Sequence, residues 1–422
     1  MKIIIPNIKS IPTLIFLCLV TSFVAGNFYI NLFLIIATLF TVFTIFQRKL
    51  KIQNIDFVLL FFFFTLIIFS SFFKDFNFKN FYLIKFLGLS MFGYFFKEEL
   101  IKNNGIIYSF LILIVAFLSI DIIFQNFFEK NIIGLTKYQN IIPTGFFGDE
   151  KISGSYLSIV TILFSTIFLI NKKSNSKHTL FMFIFILSLI SIILSTQRKA
   201  QVDILIFIGL ILFLFPHKKT FLTVSIFVIF FISFINIFPT AKVSLFQKTF
   251  MQFGIFKDNT NKNLEIEECT DDFQTNCYRY YGINRESSLK NNQYYAHYLT
   301  SLNIWRDFPI FGAGNKKFRE YCSDKKYEIK NNVYSDSRCS THPHNIYLTV
   351  LSEHGIIGLI TFLTLILRIL FNRDNYNQKD FKLFMFPLFL VLIIPLPTGN
   401  IFSTWLGSFF WLSLGFLLKK KK

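Results

Sequence analysis

THPHNIYLTVLSEHGIIG, Thr341 to Gly358, is the stretch whose reading decides the fold. It lies where a long polar region ends and a hydrophobic one begins. Leu348, Leu351, Gly355 and Gly358 follow one another at spacings of three and four, the period of a helix. His342 and His344 stand at the start of that helix, at the boundary between water and membrane. The free N–H groups of a helix start favour anions such as phosphate. A histidine placed there can take a proton from an attacking hydroxyl near neutral pH. The plainer alternative is a polar cap ahead of an ordinary membrane helix.

Composition sets the class around this stretch. Hydrophobic residues make up 53% of 422, Phe alone contributes 61, and charged residues are only 16%. Apolar runs recur along most of the chain, each near the roughly 20 residues a bilayer requires. The expected fold is an all-α polytopic membrane protein of about twelve transmembrane helices. The expected spans are Ile11–Ala25, Phe28–Phe46, Ile55–Phe73, Phe81–Phe96, Gly105–Phe127 and Ile152–Ile170. They continue with Thr179–Ser195, Val202–Phe215, Thr220–Phe238, His344–Arg368, Leu383–Leu396 and Asn400–Leu418. Ile11–Ala25 follows Lys2 and Lys9 in the manner of a signal peptide, but the next span comes at once with no convincing cleavage site, so it counts as a helix.

Orientation follows from Lys and Arg. With the N-terminus inside, inner segments hold twenty of them and the short outer loops seven. Both ends are therefore expected in the cytoplasm. This bias accounts for most of the +19 net charge without any nucleic-acid partner. Lys419 to Lys422 read as an anchor on the membrane surface. The chain divides into helices 1–9 (1–238), an extracytoplasmic loop domain (239–343) and helices 10–12 (344–422). Cys269, Cys277, Cys322 and Cys339 all fall in the loop domain, as an oxidising compartment would allow. Cys269–Cys277 with Cys322–Cys339 is the simplest of three pairings; a zinc site competes, though without tight CxxC spacing.

The chain carries no phosphate-binding P-loop, no dinucleotide fingerprint and no HExxH. No metal site and no cofactor are expected. Arg198, in STQRKAQV, interrupts a short outer loop where basic residues are avoided. It can grip a diphosphate with two parallel hydrogen bonds, or it can snorkel to anionic headgroups. Arg285, in GINRESS, is a weaker candidate of the same kind. Asp121 falls inside the fifth span, where a carboxylate is costly unless it faces a polar cavity. Asp149 and Glu150 read as sugar-orienting or simply solvated. Gly312 and Gly314 read as turn-forming rather than phosphate-cradling.

HNIYLTVLSEHGIIG, His344 to Gly358, resembles the signature of the O-antigen ligase and O-antigen polymerase superfamily. That pattern is His, then Asn, Ser or Gln, nine residues, Gly, two residues, Gly; His344, Asn345, Gly355 and Gly358 fit it. FPIFGAGNKKF (Phe308 to Phe318), STQRKA and GFFGDEKISGSYL (Gly145 to Leu157) are similar to further family stretches. The resemblance implies a glycosyltransferase of the bacterial inner membrane, working on its periplasmic face in lipopolysaccharide biosynthesis. The donor would be a glycan on undecaprenyl diphosphate. The acceptor would be lipid A–core for a ligase and another lipid-linked glycan for a polymerase. It further implies His344 as base, Arg198 on the donor diphosphate, Asn345 beside the substrate, and His297 or Arg285 in place of a loop arginine. A transporter or flippase is the alternative from another class. It would need polar residues through the midplane of several spans, and most spans here are nearly pure Ile, Leu and Phe.

Overall fold

The computed structural model describes residues 10–48, 55–74, 78–170, 175–214, 229, 232–233, 293–329, 335, 337–371 and 385–418. These residues are nearly all helical. Extended pairing among them is limited to two isolated bridges, Lys130 with Thr136 and Tyr138 with Ile142. The helices are α1 Ile11–Ala25, α2 Asn27–Arg48, α3 Ile55–Lys74, α4 Ile84–Lys102, α5 Asn104–Phe128, α6 Ser153–Ile170, α7 Asn175–Leu194 and α8 Arg198–Leu214. After them come α9 Gln293–Asp307, α10 Phe318–Tyr321, α11 Ile346–Leu370, α12 Phe386–Ile393 and α13 Thr404–Leu417. Four of the described helices have both the length and the apolarity of a span, namely α2, α5, α6 and α11. Shorter apolar helices stand at Ile11–Ala25, Ile55–Ser71, Thr179–Leu194 and Thr404–Leu417. The expected span Thr220–Phe238 lies almost wholly outside the described residues.

Local signals explain the ends. Ser10 caps α1 by accepting from the Thr13 N–H, Pro12 sits in the first turn, and Gly26 follows the last residue at φ 104°. Within the expected span Leu383–Leu396, the described residues form a helix over Phe386–Ile393; Pro395 and Pro397 follow closely and cannot continue it.

The core is aromatic. Trp411 of α13 is fully buried against Phe64, 4.7 Å between ring centroids, and against Phe63, Phe402 and Phe410. Small residues let α4 and α13 approach closely: Ser90 Oγ donates to the Trp411 carbonyl at 2.9 Å, and a Cβ on Gly415 would lie 2.0 Å from the Ser90 carbonyl oxygen. Phe28, Phe43, Phe46, Phe61 and Phe127 remain exposed around the outside. In water such a surface would be a liability, whereas against lipid tails it is matched.

Asp121 is buried. Its carboxylate accepts from the Ile132 N–H at 3.0 Å and the Asn131 amide at 3.3 Å. Gln125, one turn on, accepts from the Thr144 and Gly145 N–H groups at 2.8 and 2.7 Å. The two residues fasten the segment between α5 and α6, which offsets the cost of burying them. Asp149 and Glu150 are exposed on that segment.

Candidate functional site

The helix announced by the opening stretch is broken. Inside α11, Gly355 has φ 68° and ψ −170°, a conformation open essentially to glycine alone. The residues of FPIFGAGN lie across the break. Ile356 N–H donates to the Pro309 carbonyl at 2.9 Å and Ile357 N–H to that of Ile310 at 3.4 Å. In return Ala313 N–H donates to the Ser352 carbonyl and Gly314 N–H to that of Glu353, both at 2.8 Å. The strap thus satisfies backbone groups that a broken membrane helix would leave bare. Backbone passes so near backbone that a Cβ on Gly312 would stand 2.2 Å from the Glu353 carbonyl carbon. Gly312 and Gly314, at φ 71° and 106°, serve this turn. The break lies nine residues into α11, roughly 14 Å below its start. At the tip of the strap Ile310 and Phe311 are half-exposed.

Above the break, α11 starts from Asn345, whose side-chain oxygen accepts from the Tyr347 and Leu348 N–H groups at 3.0 and 3.1 Å. Asn345 therefore has a structural task whatever else it touches. His344 immediately precedes it with φ 58°, in the left-handed region that a non-glycine residue enters at a cost. Thr398 N–H holds the His344 carbonyl at 2.9 Å.

Three imidazoles meet here. The rings of His342 and His344 are 4.3 Å apart between centroids, and those of His297 and His344 5.3 Å. Tyr294 stands edge-on to His344 at 5.6 Å. His297, from α9, is buried, and its Nδ1 lies 2.8 Å from the Arg338 carbonyl. A carbonyl only accepts, so Nδ1 carries the proton and Nε2 holds the lone pair in the neutral ring. Arg338 is itself fixed: Nε donates to the Cys322 carbonyl and Nη1 to that of Ser335, both at 2.9 Å. The next residue, Cys339, is disulfide-bonded to Cys322, as the simplest pairing anticipated. Those two thiols are consumed, which closes the zinc alternative for them. Cys269, Cys277 and Arg285 lie outside the described residues. His342 donates from Nε2 to the Thr398 carbonyl at 3.1 Å, leaving Nδ1 to accept from the Thr341 hydroxyl at 2.8 Å.

Burial sets the charge of this group. It pushes His344 and His342 down to about 4; neighbouring imidazoles push the same way, and Arg319 adds to the effect on His342. The Thr398 carbonyl opposes the shift in both. His297 is lowered by burial too, against the pull of the Arg338 carbonyl. At pH 7 the rings are neutral, and a neutral imidazole is the form that accepts a proton.

Of the residues singled out in the sequence, His344, His297 and Asn345 are brought together. Arg198 is the first residue of α8. Its neighbour Gln197 holds Ser155 at the start of α6, by N–H at 2.9 Å and hydroxyl at 2.7 Å. Sequence reading missed Arg338, Thr398 and Arg319. Two of them act on the histidines through backbone carbonyls, which any residue type has. The third is one surface arginine among many.

This helix, its strap and its leading histidines decide what the chain resembles. Residues 183–363 match the family model described as O-antigen ligase. That interval runs from within α7 to within α11 and includes the strap and all three histidines. Among curated proteins, one from Rickettsia prowazekii is 30% identical over 127 residues, 28% of this chain and 29% of the relative. One from Rickettsia conorii is 32% identical over 104 residues, 24% of this chain and 22% of the relative. Both bear the name "putative polysaccharide ligase". The chain thus spans less than a third of the length of the curated relatives it matches.

Proposed function

We propose that the chain transfers a glycan from undecaprenyl diphosphate to lipid A–core, as an O-antigen ligase does, on the periplasmic face of the bacterial inner membrane. The observation that supports this most is His344, set in a strained backbone at the head of a broken helix and ringed by His297 and His342. In the reaction an acceptor hydroxyl attacks the anomeric carbon of the donor glycan. The new bond is O–C; the bond that breaks joins that carbon to the diphosphate, which leaves with its electron pair. The acceptor's proton passes to His344. Diphosphate is already a good leaving group, so positioning and charge stabilisation can carry the step. An imidazole near pKa 4 is a weak base when alone, and a diphosphate beside it would raise its proton affinity. His297 keeps a second neutral nitrogen against the same space, and Arg198 is assigned to the donor diphosphate on the family resemblance. Asn345 holds the helix start next to the acceptor.

The test is transfer in liposomes containing the purified chain, undecaprenyl-diphosphate glycan and lipid A–core. His344→Ala should insert and melt as the wild type does, yet transfer nothing. Wild-type transfer by that variant would remove His344 from the chemistry. Product on lipid A–core marks a ligase; lengthening of the lipid-linked glycan, with lipid A–core untouched, marks a polymerase.

A further inference from the structure

Beside the histidines lies a second group of charges that this chemistry does not use. Tyr82, just before α4, carries two ammonium groups over its ring: Lys316 Nζ is 4.1 Å from the centroid and Lys85 Nζ 5.3 Å. Lys85 reaches the Asn31 amide oxygen at 2.6 Å and the Thr404 hydroxyl at 3.0 Å, and forms no ion pair among the described residues. Lys316 has no hydrogen-bond acceptor among them, although its side chain is half-buried. Burial lowers the Lys316 ammonium from its ordinary value, and Arg319 lowers it further. Glu353, the one carboxylate that counters this, is wholly buried, against the backbone N–H groups of Lys316 and Phe318. Arg319 lies close enough to be felt by His342, which ties this group to the three imidazoles.

The scaffold under these cations is well fastened. The Asn315 amide donates to Asn80 at 3.2 Å, its N–H donates to Ser71 at 3.0 Å, and the Tyr82 hydroxyl donates to the Phe402 carbonyl at 3.3 Å. Phe402 and Thr404 belong to the segment that begins with Thr398, the partner of His342 and His344. Two ammonium groups over one ring, the exposed Arg319 close to Lys316, and a single buried carboxylate leave an excess of positive charge. Like charges at this spacing repel unless a counter-ion joins them. Aromatic contact softens that repulsion without cancelling it. Lys85 also sits between α2, α4 and α13, beside the exposed apolar residues Phe81 and Ile84. A bound anion there would have an apolar chain next to it.

We propose that Lys85, Lys316 and Arg319 form a binding site for the phosphate of a membrane lipid, next to the histidine group. The site deepens the glycan-transfer reading, which would make its occupant a polyprenyl phosphate. A bilayer phospholipid offers the same chemistry, and the test separates them. The purified full chain, in neutral detergent, is titrated with undecaprenyl phosphate, with phosphatidylglycerol and with inorganic pyrophosphate, and binding is read by native mass spectrometry and thermal shift. Lys85→Gln, Lys316→Gln and Arg319→Gln should each weaken lipid binding about tenfold, as the loss of one charge-assisted contact does. Lys317→Gln should not, because Lys317 is paired with Glu320. Preference for undecaprenyl phosphate identifies the polyprenyl lipid, and preference for phosphatidylglycerol the bilayer phospholipid. The proposal is overturned if the wild type binds neither lipid, binds pyrophosphate alone, or loses as much affinity with Lys317→Gln as with Lys316→Gln. His344→Ala should keep this binding. A chain that binds the lipid yet transfers no glycan would therefore sink the transfer reading and leave the site standing.

Discussion

Gly355→Ala tests the broken helix most directly. A methyl group on Gly355 would lie 2.1 Å from the Ile310 carbonyl oxygen and 2.6 Å from the Gly312 nitrogen. Both are backbone atoms, so neither can swing aside as a side-chain tip would. Holding alanine at φ 68°, ψ −170° costs of order 1–3 kcal/mol. Overpacking adds about 1–3 kcal/mol, so the strapped state loses roughly 2–6 kcal/mol. The escape is for the strap to leave and the helix to run straight through. That forfeits four backbone hydrogen bonds to the strap, about 1 kcal/mol each net, and the straightened helix regains part of it. The two routes cost similar amounts. The expected variant is therefore inserted, melts several degrees lower, and transfers glycan poorly because α9 and the strap no longer press against α11. Thermal unfolding of purified protein and the liposome transfer assay measure both. Gly209→Ala is the comparison: nothing lies within 4 Å of the added methyl, and helix propensity favours alanine by up to about 1 kcal/mol. If Gly355→Ala melted and transferred like the wild type, α11 would not be broken at Gly355 and the strap would not be its cap.

Three other outcomes are expected. The folded-state values of His342 and His344, about 4 against an ordinary 6.5, mean that their neutral forms support the fold above pH 6.5 and that this support is lost as pH falls towards 4; melting temperature should decline over that window and the acid limb of kcat/KM should fall near 4 to 5, whereas a limb centred at 6.5 would contradict the burial of the rings. Arg198→Lys should slow transfer roughly tenfold or more if the guanidinium grips a diphosphate, and should change nothing if Arg198 only anchors to headgroups; Lys199→Ala is a poor comparison, since Lys199 pairs with the buried Asp203 and its removal should lower stability. Non-reducing mass spectrometry should recover Cys322 joined to Cys339, and free thiols at both positions would count against the way Arg338 is held.

The class of the fold was legible because apolar periodicity and length are local properties. The span Ile11–Ala25 was legible as an apolar run, and Ser10, Pro12 and Gly26 mark its ends in the fold. His344 was legible through its neighbours at fixed spacing. What escaped was whatever depends on a distant partner. Gly355 and Gly358 kept helical spacing, so nothing nearby showed that the first of them breaks the helix; the break needs Pro309 and Ile310. His297 stood among other polar residues, and its meaning comes from a carbonyl forty-one residues later. Lys316 and Lys85 become a pair only through Tyr82, more than two hundred residues before the first of them. The cost of Asp121 was legible, whereas its partners, a backbone N–H and an asparagine on the following segment, were not.

The strap has a consequence for how the protein is made. Pro309 and Ile310 leave the ribosome before Ile356 and Ile357, whose N–H groups they receive. At ordinary elongation rates the lead is a few seconds, longer than local segments take to settle. The acceptors are thus waiting when the two halves of α11 enter the bilayer, and the gap between them is never left facing lipid. Reversing that order, by a circular permutation that moves 308–315 behind α11, would keep every contact of the finished protein. It would also ask the insertion machinery to accept a helix with bare N–H groups at mid-membrane depth.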